Sequence, residues 1–310
     1  MRATGARRSR PFLDGLSFGE CPRWHGGRLW FADFFSGTVS SAGLADTDRS
    51  HADRPDGGVD VRLELEVPGE PAGLGWLPDG RLLVVARKAR RVMRLDAGGL
   101  VLHGDLLPSA GFHGNDMVVD AEGRAYVGNF GFDLDRFIEE EGVAALLGPP
   151  GPPTTSLVRI DPDGTSHTAA QELSFPNGMV ITPDGRTLVL AETLAARLTA
   201  FAIDDDGLLS GRRVWASLPG RAPDGICLDA DGRVWVADAV SPECVLVAEG
   251  GEIIDRVVTS QNCFACMLGG SDRRTLFLMT APTSTESVVS VTRSARIEQA
   301  LVDVGGAGLP

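Results

Sequence analysis

The sequence predicts an all-β fold, a six-bladed β-propeller built as a single domain. Three observations carry that reading. A strand–turn–strand pattern recurs six times along the chain. Glycine and proline number 39 and 19 in 310 residues, too many for a helical bundle, because each weakens a helix interior. The runs beside the turns are short and rich in branched apolar residues, as in strands covered on both faces.

The repeat reads WHGGRLWFAD (24–33), LPDGRLLVVA (77–86), DAEGRAYVGN (120–129), TPDGRTLVLAE (182–192) and DADGRVWVAD (229–238). A degenerate sixth copy is GSDRRTLFLMT (270–280). The aligned arginines are Arg28, Arg81, Arg124, Arg186, Arg233 and Arg274, on average about 49 residues apart, which is room for the four strands of one blade. Glycine in the turns accepts positive φ and joins antiparallel strands. Alternating stretches such as VMRLD (92–96), LTAFAID (198–204) and EIIDRVV (252–258) supply outer strands. One blade cannot bury both its faces, so the six must stack.

The propeller is expected over residues 12–310, with residues 1–11, including Arg7, Arg8 and Arg10, as a disordered basic tail. The only helix-like stretch lies near 133–146 in the longest repeat, followed by GPPGPP. It marks a lid-like insertion at about 130–153. Either the C-terminal stretch SVVSVTRSARIEQALVDV or an N-terminal strand can complete the sixth blade.

With 29 basic and 42 acidic residues the net charge is −13, which argues against nucleic acid and anionic membrane as partners. The start MRATGARRSRPFLDGL lacks the apolar stretch of a secretory signal. Five cysteines form no even framework, and Cys263 and Cys266 have no second pair to complete a zinc site. Buried reduced thiols and a cytoplasmic protein, monomeric or a small homo-oligomer, are expected.

Register sorts the polar residues. Counting back seven or eight positions from each turn glycine reaches the start of the innermost strand. There stand Glu20, Asn115 with Asp116, Asn177 and Asp224; the second repeat has Ala72 and the sixth Ala265 or a neighbour. Propeller rotation brings equivalent positions together at one mouth of the central channel. Oxygen ligands with two carboxylates suit a hard divalent cation: Ca²⁺ first, with Mg²⁺, Mn²⁺ or Zn²⁺ as alternatives. Asn or Asp before Gly also serves turns entering strands, but Glu20 has no such use. Residues after each second strand rim the same mouth: Phe34, Phe35, Arg87, Lys88, Phe130 to Asp133, Glu192, Thr193 and Asp238. His113, two before Asn115, falls near them.

FGECPRWHGGRLWFAD, GNDMVVDAEGRAYVGN, FPNGMVITPDGRTLVLAET and PDGICLDADGRVWVAD together resemble the signature segments of the SMP-30/gluconolactonase/LRE-like family, over roughly residues 13–282. The resemblance implies a six-bladed propeller with one divalent metal in its channel. It implies Glu20, Asn177 and Asp224 as metal ligands, Asn115 as ligand or substrate contact, and Asp224 as general base. Two departures stand out: His113 occupies a position where animal members carry arginine, and Val189 replaces a tyrosine.

The expected reaction is hydrolysis of a lactone, either a sugar-acid lactone or a less polar lactone or ester-like substrate, by activated water. Asp224 is the first choice of base and Asp116 the second. Asn115, His113, Phe35, Phe130, Phe132 and Glu192 are expected to contact substrate. A non-hydrolytic metal- or ligand-binding propeller, or a secondary-metabolism enzyme using the same site, is the alternative. No Ser lies in the strand–turn–helix context of a GxSxG nucleophile, and no GxGxxG loop opens a helix.

Overall fold

The computed structural model describes residues 7–43, 58–107, 109–146 and 148–308. Six antiparallel sheets surround an axis. The innermost strands are Gly19–His25, Pro71–Trp76, Gly114–Val119, Pro176–Ile181, Pro223–Leu228 and Asn262–Gly269. Each packs against the next, and the sixth packs back on the first, so the ring is closed. The second strands are Arg28–Asp33, Leu82–Ala86, Ala125–Asn129, Thr187–Glu192, Val234–Asp238 and Thr275–Ala281.

The repeat explains itself locally. In blades three and five an aspartate opens the turn and the arginine closes it. Asp120 accepts from the backbone N–H groups of Glu122 and Arg124, and its other oxygen pairs with Arg124 Nε at 2.6 Å. Asp229 does the same with Asp231 and Arg233. In these two blades the recurrent arginine is a turn fastener; Arg28 and Arg274 instead bond Asp60 and the Val302 carbonyl. The apolar strand residues meet between neighbouring blades, where Trp235, Tyr126, Phe31 and Phe277 are the largest fully buried side chains. All five cysteines are free and buried, with Cys263 and Cys266 on the sixth inner strand.

Ring closure comes from the N-terminus. Arg10–Leu16 forms the outer strand of the sixth blade, paired antiparallel with Ala295–Leu301. Arg7–Arg8 adds a parallel fifth strand to blade five. Residues 7–11 are thus ordered sheet rather than tail, because Phe12 anchors the segment edge-on against Phe277 at 5.0 Å and Arg7 pairs with Asp255. Residues 1–6 of the expected tail lie outside the described residues. The C-terminal stretch supplies a helix, Glu286–Thr292, and the third strand of blade six. The sequence pattern marks only the helix near 133–146, which the structure places at Leu134–Glu141 in the blade-three insertion.

Beyond that strand the chain covers the far mouth of the channel. Gly305 accepts from Ala230 N–H, Gly306 donates to Arg273 and Ala307 donates to Leu228, each at 2.9 Å. The near mouth remains as the approach to the axis. Among the described residues no helix is long and apolar enough to cross a membrane.

Phe12→Ala is expected to cost about 3 kcal/mol in urea unfolding, as for a buried phenylalanine truncated in a core. A loss below about 1 kcal/mol would mean that the N-terminal strand does not secure the ring.

Candidate active site

The strand pairing defines equivalence around the ring. Gly19, Pro71, Gly114, Pro176, Pro223 and Asn262 pair with the last residues of their second strands. Proline is tolerated as the first residue of a strand. The residues that follow are Glu20, Ala72, Asn115, Asn177, Asp224 and Cys263. Glu20 is therefore the true counterpart of Asn177 and Asp224, and the sixth position belongs to Cys263 rather than Ala265.

At this level the register of every inner hairpin shifts. Bulges twist a strand locally and re-aim its side chains: Asn115, Asp116, Asn177 and Asp224 stand out of the ladder, whereas Glu20 pairs with Ala32 just before its bulge. Glu20, Asn115, Asp116, Asn177 and Asp224 are all buried, each with a small accessible remainder.

Their partners orient them. Asn177 Nδ2 donates to Thr193 Oγ1 at 3.2 Å, and that hydroxyl donates to the Pro223 carbonyl at 2.7 Å. Asn115 Nδ2 donates to the Pro176 carbonyl at 3.3 Å. Each amide spends its nitrogen on protein, which leaves Oδ1 for a ligand. Glu20 accepts from Cys21 N–H at 2.8 Å. Asp116 Oδ1 accepts from Met117 N–H at 2.8 Å and from Arg23 Nη2 at 2.7 Å. Arg23 is itself buried and donates further to the carbonyls of Pro22, Leu74 and Met117. On its far side lies a small cavity lined also by Met179, Cys227, Met267 and Arg273.

The electrostatics follow from burial. Desolvation, with added repulsion from Asp116, pushes the Glu20 carboxyl up to about 8 despite the Cys21 N–H. Desolvation and the facing Glu20 and Asp116 hold Asp224 well above the usual carboxylate range. Arg23 is the guanidinium bonded within the cluster, and it is committed to Asp116. Glu20 and Asp224 therefore lack a matching positive charge. The donor set of two carboxylates and an amide oxygen is all oxygen, and it fits a hard divalent cation. Among the described residues no three His, Cys, Asp or Glu side chains form a cation cage by themselves. In the expected set the third donor would be the Asn177 amide oxygen, since Arg23 takes the third carboxylate, Asp116.

The rim is aromatic. His113 stacks on Phe112 at 4.0 Å and stands 6.3 Å from Phe130, which packs on Phe175 at 4.8 Å. Phe132 meets Phe175 and Phe137, tying the blade-three insertion to the rim. Phe35 packs on Phe18 and Phe34. Burial, reinforced by Arg87, lowers His113 to about 4, so it is neutral at pH 7.

Glu192 does not belong to this group. It is 0% exposed and its carboxylate is saturated by Ser174 N–H, Thr199, Arg197 and Arg212. As the last residue of a second strand it lies in the ladder and faces the loop that leads into its own blade. Asp33 and Asp238 do the same for Phe18 and Ala222. Arg23 was missed from sequence. The available signal was an arginine among the buried positions of an inner strand, three residues after Glu20.

The family model described as the SMP-30/Gluconolactonase/LRE-like region matches residues 18–282. The chain is 28% identical to pentonolactonase XacC of Haloferax volcanii, over 85% of this chain and 81% of that one. It is 26% identical to 6-deoxy-6-sulfogluconolactonase of Pseudomonas putida, over 84% and 82%. In fold it resembles the calcium-binding protein regucalcin from Agrobacterium tumefaciens, with TM-score 0.74, 18% identity and coverage of 99% and 98%.

Arg23→Met is expected to destabilise the protein by about 3 kcal/mol, because it leaves Asp116 buried and unpaired. The double variant Arg23→Met/Asp116→Asn should recover part of that loss in chemical unfolding. Strict additivity of the two changes would show that the pair is not coupled.

Proposed function

The chain belongs to the SMP-30/gluconolactonase/LRE-like family, and from that premise we propose that it hydrolyses a lactone at the near mouth of its channel, with a divalent cation held by Glu20, Asn177 and Asp224. The observation that carries this reading is the convergence of those residues with Asn115 and Asp116 from the starts of four inner strands. The lactonase names of the two relatives support the substrate class.

The cation, with Ca²⁺ as first choice, supplies Lewis-acid polarisation of the lactone carbonyl when bound. The residues do the rest. Asn115 Oδ1, fixed through its Nδ2, accepts from the attacking water or from a substrate hydroxyl. Asp224 takes the water's proton; Asp116 is the second choice, held in place by Arg23. His113, neutral and half-buried, hydrogen-bonds substrate without adding charge. Phe35, Phe130 and Phe132 cover the apolar part of the substrate and keep bulk water from the reacting carbonyl.

Two outcomes are expected. Dialysis against EDTA abolishes acid release from a panel of sugar, aliphatic and aromatic lactones followed with a pH indicator, and re-addition of Ca²⁺, Mg²⁺, Mn²⁺ or Zn²⁺ restores it with one ion best. Asp224→Asn and Asp224→Ala each lower kcat at saturating cation by at least about 10²-fold. Near-normal turnover in both variants removes Asp224 from the mechanism. Cation binding with no turnover of any lactone favours a non-hydrolytic ligand-binding propeller.

A further inference from the structure

Arg87 follows the second strand of blade two and enters the mouth from a side that the reaction above does not use. It is 8% exposed. Its guanidinium carbon lies 5.3 Å from the Phe34 ring centroid, 5.9 Å from Phe35 and 5.3 Å from Phe130. It thus bridges the aromatic walls of blades one and three. Nε and Nη2 both bond Glu70 Oε2, at 3.0 and 2.8 Å. Lys88 holds the other oxygen of the same carboxylate. Among the described residues Nη1 has no protein acceptor, and it is not among the fully buried orphaned atoms. That edge keeps accessible surface beside the rim rings of Phe34, Phe35 and Phe130.

The charge count is uneven. Two cations share Glu70, and the further contact of Lys88 with Glu286, at 3.5 Å, is half-exposed and screened by solvent. Arg87 is also fixed beside the site: its carbonyl accepts from Gly114 N–H at 3.0 Å, on the strand that carries Asn115. A guanidinium held by one carboxylate, walled by aromatic rings and open along one N–H edge is prepared for a charge-assisted hydrogen bond. Low-dielectric walls strengthen such a bond.

We propose that Arg87 is the specificity-determining residue of the mouth, donating through Nη1 to a carboxylate carried on an otherwise apolar lactone. This rests on the reading that the mouth takes lactones. The paired probes are 5-oxooxolane-2-carboxylate and its methyl ester, which share one ring and differ in charge. Wild type should prefer the carboxylate by at least tenfold in kcat/KM. Arg87→Met should abolish that preference mainly through KM, and Arg87→Lys should keep part of it, with thermal melting used to verify folding. Absence of a preference in wild type, or an equal fall for both probes in Arg87→Met, overturns the assignment. Should wild type turn over no lactone, the reaction is wrong, but calorimetric binding of 5-oxooxolane-2-carboxylate still decides Arg87. Binding at least tenfold weaker in Arg87→Met, or in Arg87→Lys where the first variant does not fold, supports the role. Equal binding, or none to wild type, overturns it.

Discussion

The whole structure depends on how closely the inner strands approach one another at the axis. A Cβ added at Gly178 would lie 2.6 Å from the Ile226 nitrogen and 2.7 Å from the Asp224 carbonyl. One added at Gly225 would meet Ala265 at 2.5 Å. Real Cβ atoms essentially never make contacts that short, so glycine is required where blades four, five and six touch. The residue before each glycine is Asn177 or Asp224. The same bulge that permits the contact turns that residue toward the channel. Ring closure and assembly of the polar cluster are thus one event, and the site has no existence apart from the packing.

That packing has an electrostatic consequence. Bringing Glu20, Asp116 and Asp224 into one buried space is unfavourable unless positive charge is supplied. Arg23 supplies one, from the blade that also carries Glu20, and bonds Asp116 while reaching the carbonyls of blades two and three. It both spans three blades and leaves the remaining two carboxylates unmatched. The upward displacement of Glu20 and Asp224 expresses their burial first and then the repulsion among the unmatched carboxylates. A divalent cation would reverse it, making these carboxylates ionised ligands at neutral pH.

Most of the architecture was legible because repetition is a property of the sequence. Six turns in phase declare six blades, and an Asn or Asp eight residues before Gly185 or Gly232 declares a position on the ring. Glu20 was legible too, although its turn is one residue shorter. Glu192 was not. In sequence it stands at a strand end near the mouth, as Asp224 does, and both are acidic. What separates them is direction: Asp224 is bulged out of its ladder, whereas Glu192 stays near the ladder end and turns back to Ser174, Arg197, Thr199 and Arg212. Side-chain direction at a strand end depends on the register of the partner strand, which no single strand's sequence records. The N-terminal strand was legible only as one of two ways to complete the sixth blade, for a related reason. Its pairing partner, Ala295–Leu301, lies at the opposite end of the chain.

The two chain ends then give the ring its polarity. The N-terminal strand closes the sixth blade, so the ring is held by a pairing between the first and last parts of the chain. The C-terminal residues lie across the far mouth and bond to Arg273, Leu228 and Ala230. A symmetric ring would offer two equal entrances. This one has a covered end and an end lined by Phe35, Phe130, His113 and Arg87, with the acidic cluster beneath that rim. A small molecule entering from the rim meets apolar rings first, then a guanidinium edge, then the carboxylates and amides. On the proposed reading, that order would favour a ligand with an apolar body and oxygen acceptors that reach the axis, because a fully hydrated polyanion would lose its water at the rings before a cation could compensate it.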